Sequence, residues 1–387
     1  MTGLEGQVST VVALLAVALI VSAIADRIGV PYVVALLIVA TPVEFGANEF
    51  APALLFIFLP ALIFEAAWNI DAAALKRRWL PVAVLAIPGV LLTAGLVGGG
   101  LALARQMPFV PALLLGAILA ATDPIAVIAV FRRLHVPTDL ATIVEGESLF
   151  NDGAAIVLYG VVVGILSGTQ AAPNALTITW TALSVSLGGA AIGLIAAALV
   201  ALLLRGNDSA QLQVVGTLVA AFGSYLIADR LHLSGIFAAV VVGIAVRAFP
   251  RFPSTAAIVD VDSFWSVMAF LANALVFVLM GLRIEFARIL HEPRLVLLTL
   301  GLVTAARLIL AYAALPLASS RIAPAWRSVI ALSGMRGALS VALAIGLPPD
   351  IPFRPQIVDT VFGVVFITLV AQGLAIGPFI SRQRLAN

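Results

Sequence analysis

Long apolar runs dominate the chain, separated by short breaks that are rich in charged residues, Pro or Gly. The breaks delimit thirteen segments, near residues 8–25, 31–43, 51–68, 79–103, 108–130, 142–167, 176–204, 210–228, 232–249, 262–281, 293–316, 325–347 and 357–380. Most approach the ~20 residues that an α-helix needs to cross the hydrocarbon core of a bilayer. The pattern predicts an all-α polytopic membrane protein with about 13 transmembrane helices.

The composition supports this interpretation. Of the 387 residues, 63% are hydrophobic and only 10% are charged, whereas soluble domains carry roughly 25% charged residues. The short connections leave no room for a soluble domain. The chain contains no Cys, which excludes disulfides and thiolate chemistry.

Basic residues distinguish the two ends of the bundle. One set of alternate loops, with the C-terminus, holds Arg27, Lys76, Arg77, Arg78, Arg132, Arg133, Arg205, Arg247, Arg251, Arg321, Arg327, Arg382 and Arg384. The other set holds Arg105, Arg230, Arg283, Arg288, Arg294 and Arg354. Because cytoplasmic loops are enriched in Lys and Arg, we expect a multi-pass protein of the inner (plasma) membrane with its C-terminus in the cytoplasm and its N-terminus outside.

A few charged residues remain inside the predicted spans: Glu65, Asp123, Glu147, Asp152, Arg307 and Arg336. Glu145 and Asp262 lie near the start of a span. A charge in hydrocarbon costs at least about 2.5–3.5 kcal/mol. These residues must therefore pair with one another or line an aqueous path.

The first interruption is Thr122-Asp123-Pro124, midway along an apolar run. Proline removes a backbone donor and breaks the helix, and irregular backbone at that depth survives only when it is packed in protein or lines a cavity. One interpretation is a kinked helix whose second half is capped by Asp123. The other is an ion site, which the adjacent Thr hydroxyl favours.

The next span opens with Glu145-Gly146-Glu147-Ser148-Leu149-Phe150-Asn151-Asp152. Glu147 and Asn151 are four residues apart, as are Ser148 and Asp152, so each pair shares a helix face. A hydrated helix N-terminus, where acids are favoured, explains Glu145. It explains Asp152 poorly, because a long apolar run follows it.

A second interruption, Ser333-Gly334-Met335-Arg336-Gly337, lies in the C-terminal half. Paired interruptions in the two halves of a transporter indicate its binding site; a Gly-rich packing face is the alternative. Arg307 needs a carboxylate partner, for which Glu147 is a candidate. Glu65 either faces a pore or lies at the interface.

Together these motifs resemble the monovalent cation:proton antiporter-1 family, which contains the NhaP-type sodium/proton antiporters and is related to eukaryotic sodium/proton exchangers. The resemblance rests on Thr122-Asp123-Pro124, Glu147-Ser148 with Asn151-Asp152, and Gly334-Met335-Arg336-Gly337. Further matches are Phe58-Leu59-Pro60 to Asp71, Phe264-Trp265 with Asn273 and Phe277, and Arg307 with Tyr312.

The resemblance implies two inverted repeats with two broken crossing helices, and a homodimer. Core helices at approximately 79–167 and 293–380 would move against dimerisation helices at approximately 8–68 and 176–281. Na⁺ would bind Asp152 as the principal carboxylate, with further oxygens from Asp123, Ser148 and the Thr122 backbone. The supporting residues would be Asn151, the Glu147–Arg307 salt bridge, Arg336 and, where it faces the pore, Glu65.

The resemblance implies a secondary antiporter that exchanges Na⁺ or Li⁺ for H⁺ and serves pH homeostasis, with no cofactor and no nucleic-acid partner. Burial favours a protonated carboxyl group and a bound cation favours a carboxylate, so Asp152 could hold either ion. We expect electroneutral 1:1 exchange, because no group supplies a second exchangeable proton. Lys76 lies in a loop, buried Arg does not deprotonate, and Asn151 stands where electrogenic relatives carry Asp. A K⁺/H⁺ antiporter, a carrier for another solute and a cation channel are alternatives. An enzyme is disfavoured, since His135, His232 and His291 lie in loops or at span ends.

Overall fold

The computed structural model describes residues 3–40, 51–168, 175–249, 257–282, 284, 286–319 and 322–383. Within these ranges the regular structure is helical, without β-strands. Four arginines used to predict the orientation, Arg251, Arg283, Arg321 and Arg384, lie outside the described residues. The all-α prediction is confirmed.

The helices are, in chain order, α1 (Gly3–Ile28), α2 (Tyr32–Ala40), α3 (Ala51–Asn69), α4 (Ala72–Leu103), α5 (Phe109–Ala120), α6 (Ile125–Arg133), α7 (Thr138–Leu166), α8 (Ala175–Leu203), α9 (Ala210–Arg230), α10 (Gly235–Ala248), α11 (Ile258–Leu282), α12 (Phe286–His291), α13 (Pro293–Ile309), α14 (Leu315–Ala318), α15 (Pro324–Leu332), α16 (Ala338–Ile345) and α17 (Arg354–Arg382). A π-helical turn, Leu310–Ala314, joins α13 to α14.

Nine helical segments of the described chain are long and apolar enough to cross a membrane, and α10 is a shorter apolar helix. The chain is therefore a multi-pass membrane protein, while the number thirteen stays a prediction. Lys76 differs from its predicted loop position, because α4 begins at Ala72 and passes through it. The Asp71 carboxylate accepts hydrogen bonds from the N–H groups of Ala73 and Ala74 and so starts this helix early.

Both predicted interruptions are present. Residues 121–124 separate α5 from α6, and residues 333–337 separate α15 from α16. Pro124 accounts for the first break, because it cannot donate the hydrogen bond that would continue α5. At the second break, a Cβ on Gly334 would lie 2.9 Å from the Arg307 Nε atom, so the residue is small because a charged side chain passes close to the backbone.

Two of the apolar clusters connect the helices of the bundle. The larger includes buried residues of α2, α5, α7, α13 and α17, such as Leu36, Leu114 and Val364. The second surrounds Trp68 and Trp265, which bring together α3 and α11. The cavity that holds the candidate site is lined by residues of α2, α3, α6, α7 and α11 and of both breaks.

Candidate functional site

The two helix breaks lie directly against each other. The backbone N–H of Asp123 donates to the carbonyl oxygen of Met335 over 2.9 Å. The Ser340 hydroxyl donates to the carbonyl oxygen of Ile118 over 2.8 Å. These bonds satisfy polar groups that the broken helices leave free, as a low-dielectric environment requires, and they tie α5 to α16.

Asp123 compensates two helix N-termini at once. Its Oδ1 accepts from the N–H of Ile125, the first residue of α6, over 3.0 Å. Its Oδ2 accepts from the N–H of Ala338, the first residue of α16, over 3.3 Å. Helix N-termini carry unpaired N–H groups and partial positive charge. Asp123 therefore caps the second half-helix, as one interpretation predicted, and it also lines the cavity.

The two buried arginines compensate the opposite helix ends. Arg336 Nη1 donates to the carbonyl oxygens of Ala120 and Ala121, over 3.0 and 3.3 Å, at the C-terminus of α5. Arg307 Nε donates to the carbonyl oxygen of Ile330 in the last turn of α15 over 2.9 Å. Cations are favoured at C-terminal helix ends for the same dipolar reason. Fixed charges thus neutralise all four half-helix ends at the crossing.

Arg307 also forms a two-pronged ion pair with Glu147 of α7. Nη2 donates to Oε2 over 2.8 Å, and Nη1 donates to Oε1. Both residues are buried, with exposed fractions of 4% for Arg307 and 2% for Glu147. Glu147, the candidate partner of Arg307, is therefore its partner in the structure. Because the two charges neutralise each other, neither is available to a transported ion.

A hydroxyl network fills the space between the first break and α7. The Thr122 and Ser148 hydroxyl oxygens are 2.9 Å apart and share a hydrogen bond. Asn151 Nδ2 donates to Thr122 Oγ1 over 2.7 Å and to Glu147 Oε1 over 3.4 Å. Asn151 thus connects the ion pair to the break, and the two hydroxyl groups border the cavity.

Asp152 differs from the other charged residues. Its Oδ1 atom is enclosed by protein and has no hydrogen-bond partner among the described residues. A buried carboxylate oxygen without a partner is costly unless a proton or a cation joins it. Asp152 is thus a carboxylate of this site whose bonding is incomplete.

The cavity has a volume of about 290 Å³, room for many water molecules. Three helices each contribute one face to its walls, with lining residues three or four positions apart. These residues are Leu62, Glu65, Ala66 and Asn69 on α3; Ile125, Ile128, Ala129 and Arg132 on α6; and Glu145, Ser148, Leu149 and Asp152 on α7. Asn69 and Arg132 lie at the C-terminal ends of their helices. The cavity therefore extends from the crossing towards the end of the bundle that carries Lys76 and Arg133.

The structure brings most predicted site residues together. Asp152, Asp123, Ser148, Thr122 and Glu65 all line the cavity, and Glu65 accepts a 2.6 Å hydrogen bond from Asn69 Nδ2. Behind its wall lie Asn151, Glu147, Arg307 and Arg336. Asp262 lies elsewhere, bonded to Trp68 Nε1 over 2.6 Å.

Sequence reasoning missed the charged mouth of the cavity. Glu145 belongs to the cavity wall, in the third turn of α7, and it interacts electrostatically with Arg132 and Glu65. Its spacing of seven residues from Asp152 was the available signal, because residues seven apart share a helix face. For Arg132 and Asn69 the sequence offers no comparable signal.

Comparisons with known proteins agree with this geometry. The family described as "Sodium/hydrogen exchanger, transmembrane" matches residues 13–382. The Na(+)/H(+) antiporter ApNhaP of Aphanothece halophytica is 37% identical over 372 residues, which cover 92% of this chain and 70% of the relative. The Na(+)/H(+) antiporter NhaP of Pseudomonas aeruginosa is 35% identical over 355 residues, covering 86% and 82%.

Among solved structures, the sodium proton antiporter MjNhaP1 from Methanocaldococcus jannaschii at pH 8 has the same fold. The TM-score is 0.82, with 22% sequence identity and coverage of 97% of this chain and 100% of that one.

Proposed function

Because the chain belongs to the sodium/hydrogen exchanger family, we propose that it is a secondary antiporter that exchanges Na⁺ for H⁺ across the membrane. The observation that carries this function is the enclosed Asp152 Oδ1 atom, which has no partner among the described residues and belongs to a residue that lines the 290 Å³ cavity. The family is one of transporters, and the chemistry assigned to this chain is binding and release, not bond breaking.

Asp152 couples the two fluxes by holding one ion at a time. A proton completes its bonding as a neutral carboxyl group, and Na⁺ completes it as a carboxylate. Na⁺ is a hard cation that prefers oxygen ligands. Ser148 and Thr122 offer hydroxyl oxygens next to Asp152, and Asp123 offers carboxylate lone pairs that its two N–H bonds leave free.

Alternating access carries the loaded site across the membrane. Core helices at approximately 79–167 and 293–380 contain the crossing and Asp152, and they move against dimerisation helices at approximately 8–68 and 176–281. The bonds between the two breaks support movement of the core as one body, because they connect α5, α6, α15 and α16. The Glu147–Arg307 pair and Arg336 hold this body together.

Exchange is electroneutral, one Na⁺ for one H⁺. Arginine does not deprotonate in proteins, and Arg307 and Arg336 are bonded to a carboxylate and to carbonyl oxygens. Asn151 carries no proton to exchange. A single carboxyl group, Asp152, thus binds either one Na⁺ or one proton in each half-cycle.

The proposed antiporter has a defined topology and assembly. The protein resides in the plasma membrane with its N-terminus outside and its C-terminus in the cytoplasm, and it forms a homodimer. Under this orientation, the basic residues near the cavity mouth, such as Lys76 and Arg133, face the cytoplasm. The cavity is then open to the cytoplasm.

Purified protein in liposomes with an internal pH dye tests this function. An inward Na⁺ gradient should drive protons outward, and clamping the voltage with K⁺ and valinomycin at several values should leave the equilibrium unchanged. Asp152→Asn should abolish the exchange, while the matched control Asp260→Asn, at an exposed carboxylate, should retain it. Dissipation of the Na⁺ gradient without proton movement would instead identify a channel, and a voltage-dependent equilibrium would exclude 1:1 exchange.

A further inference from the structure

A second group of the cavity has incomplete bonding. Asn273 of α11 is 5% exposed and belongs to the cavity lining. Its Oδ1 atom has no hydrogen-bond partner within the described residues. A buried amide oxygen without a partner destabilises the fold, so an apolar side chain would suit this position better unless a ligand uses the oxygen.

The α11 residues close to Asn273 are apolar, whereas Ser266, two turns away on α11, also lines the cavity. Ala269 and Phe270 share its face of α11 and also line the cavity, and its neighbours Ala272 and Ala274 are buried. Tyr32 of α2, whose side chain also borders the cavity, forms a side-chain hydrogen bond with Asn273. Because Asn273 Oδ1 has no partner among the described residues, this bond uses the amide N–H and leaves the oxygen for a ligand. Asn273 thus presents a polar group on an apolar wall that contacts the same space as Asp123 and Asp152.

The two sides of the cavity belong to different proposed units. Asp123 and Asp152 are carried by the core helices, whereas α11 belongs to the dimerisation helices. Movement of the core would carry the carboxylates away from Asn273. A contact between Asn273 and the cation therefore exists only in the state with the cavity open, which under the proposed orientation faces the cytoplasm.

We infer that Asn273 contacts the transported Na⁺ through its amide oxygen and sets the affinity for Na⁺ on the cytoplasmic side only. The inference rests on the proposed antiport. The cavity admits a hydrated cation, and Asn273 replaces one of its waters opposite the carboxylates. The oxygen is neutral, so it changes the affinity for Na⁺ without changing the proton count.

The test compares the apparent KM for Na⁺ in everted and right-side-out membrane vesicles. Asn273→Leu, which keeps the size and removes the oxygen, should raise the cytoplasmic KM by about three- to ten-fold, the value of one hydrogen-bond-sized contact. The KM on the outer side and kcat should stay within twofold. Asn273→Asp, which retains an oxygen, should keep the cytoplasmic KM at or below its original value.

Gln372→Leu is the matched control, because Gln372 of α17 also has an amide oxygen without a partner in the described part of the chain but does not line the cavity. It should leave both KM values unchanged. If Asn273→Leu does not fold, Asn273→Ala also removes the amide oxygen and is judged by the same criteria. An unchanged cytoplasmic KM, an equal rise on both sides, or an equal effect of Gln372→Leu would overturn the inference. Absence of Na⁺-driven proton movement in the unmodified protein would instead overturn the proposed function.

Discussion

Removing one partner of the Glu147–Arg307 pair should cost far more than removing both. Arg307→Met leaves the Glu147 carboxylate buried, with the 3.4 Å contact to Asn151 as its remaining hydrogen bond in the structure. Breaking a buried ion pair in this way costs about 3–5 kcal/mol. The loss includes the donor to the Ile330 carbonyl oxygen, which contributes about 1–3 kcal/mol.

The double variant Glu147→Gln/Arg307→Met buries no net charge. It should therefore recover about half of the loss and retain a deficit of about 1–3 kcal/mol for the unpaired Ile330 carbonyl. The single Arg307→Met and the double variant should thus differ by about 2 kcal/mol, although the double variant carries more substitutions. A single variant that is less stable than the double variant is the result expected when a buried charge is left without a partner.

The assay is reversible unfolding in mixed detergent micelles, followed by tryptophan fluorescence. Arg77→Met is the matched control, because Arg77 pairs with Asp139 at 2.8 Å but its side chain is 57% exposed. Solvent screens such an exposed pair, so Arg77→Met should change the stability little. If the losses in the free energy of unfolding add, the double variant will be less stable than Arg307→Met. That result would show that the charges of Glu147 and Arg307 do not compensate each other.

Three further changes probe the site. In Gly337→Ala, the new methyl group would overlap the Asp123 carboxylate, so transport in liposomes should fall at least about tenfold. The control Gly99→Ala, at a position with open space around it, should transport normally. Ser148→Ala removes one candidate Na⁺ ligand and should raise the KM for Na⁺ about two- to ten-fold in the same assay; an unchanged KM would remove Ser148 from the site. Arg132→Gln removes a positive charge from the cavity mouth and should lower the KM for Na⁺, by a factor that shrinks as ionic strength rises; a salt-independent change would contradict this electrostatic explanation.

The sequence was sufficient to predict the elements that local chemistry determines. Apolar run lengths indicated the helices, Pro124 indicated the first break, and the four-residue spacing of Ser148 and Asp152 placed both on one face of α7. The two glycines around Arg336 indicated the second break. Each of these inferences depends on residues that are close in the chain.

Contacts between distant segments could not be predicted in the same way. Lipid tails are as apolar as a protein core, so a helix that is apolar on every side does not reveal which face packs against protein. For this reason the sequence does not distinguish a pore-facing Glu65 from an interfacial one, whereas in the structure Glu65 lines the cavity together with residues of α7. The bonds from Arg336 to the carbonyls of α5 join residues about 215 positions apart, and no local pattern indicates them.

If Na⁺ and H⁺ compete for Asp152, binding of Na⁺ must release the proton, and this release can be measured. In weakly buffered detergent solution at a pH where Asp152 is protonated, adding Na⁺ to the purified protein should release about one proton for each Na⁺ bound. Asp152→Asn should release none, while Asp260→Asn should match the unmodified protein. Na⁺ binding without proton release, or undiminished release from Asp152→Asn, would contradict the account.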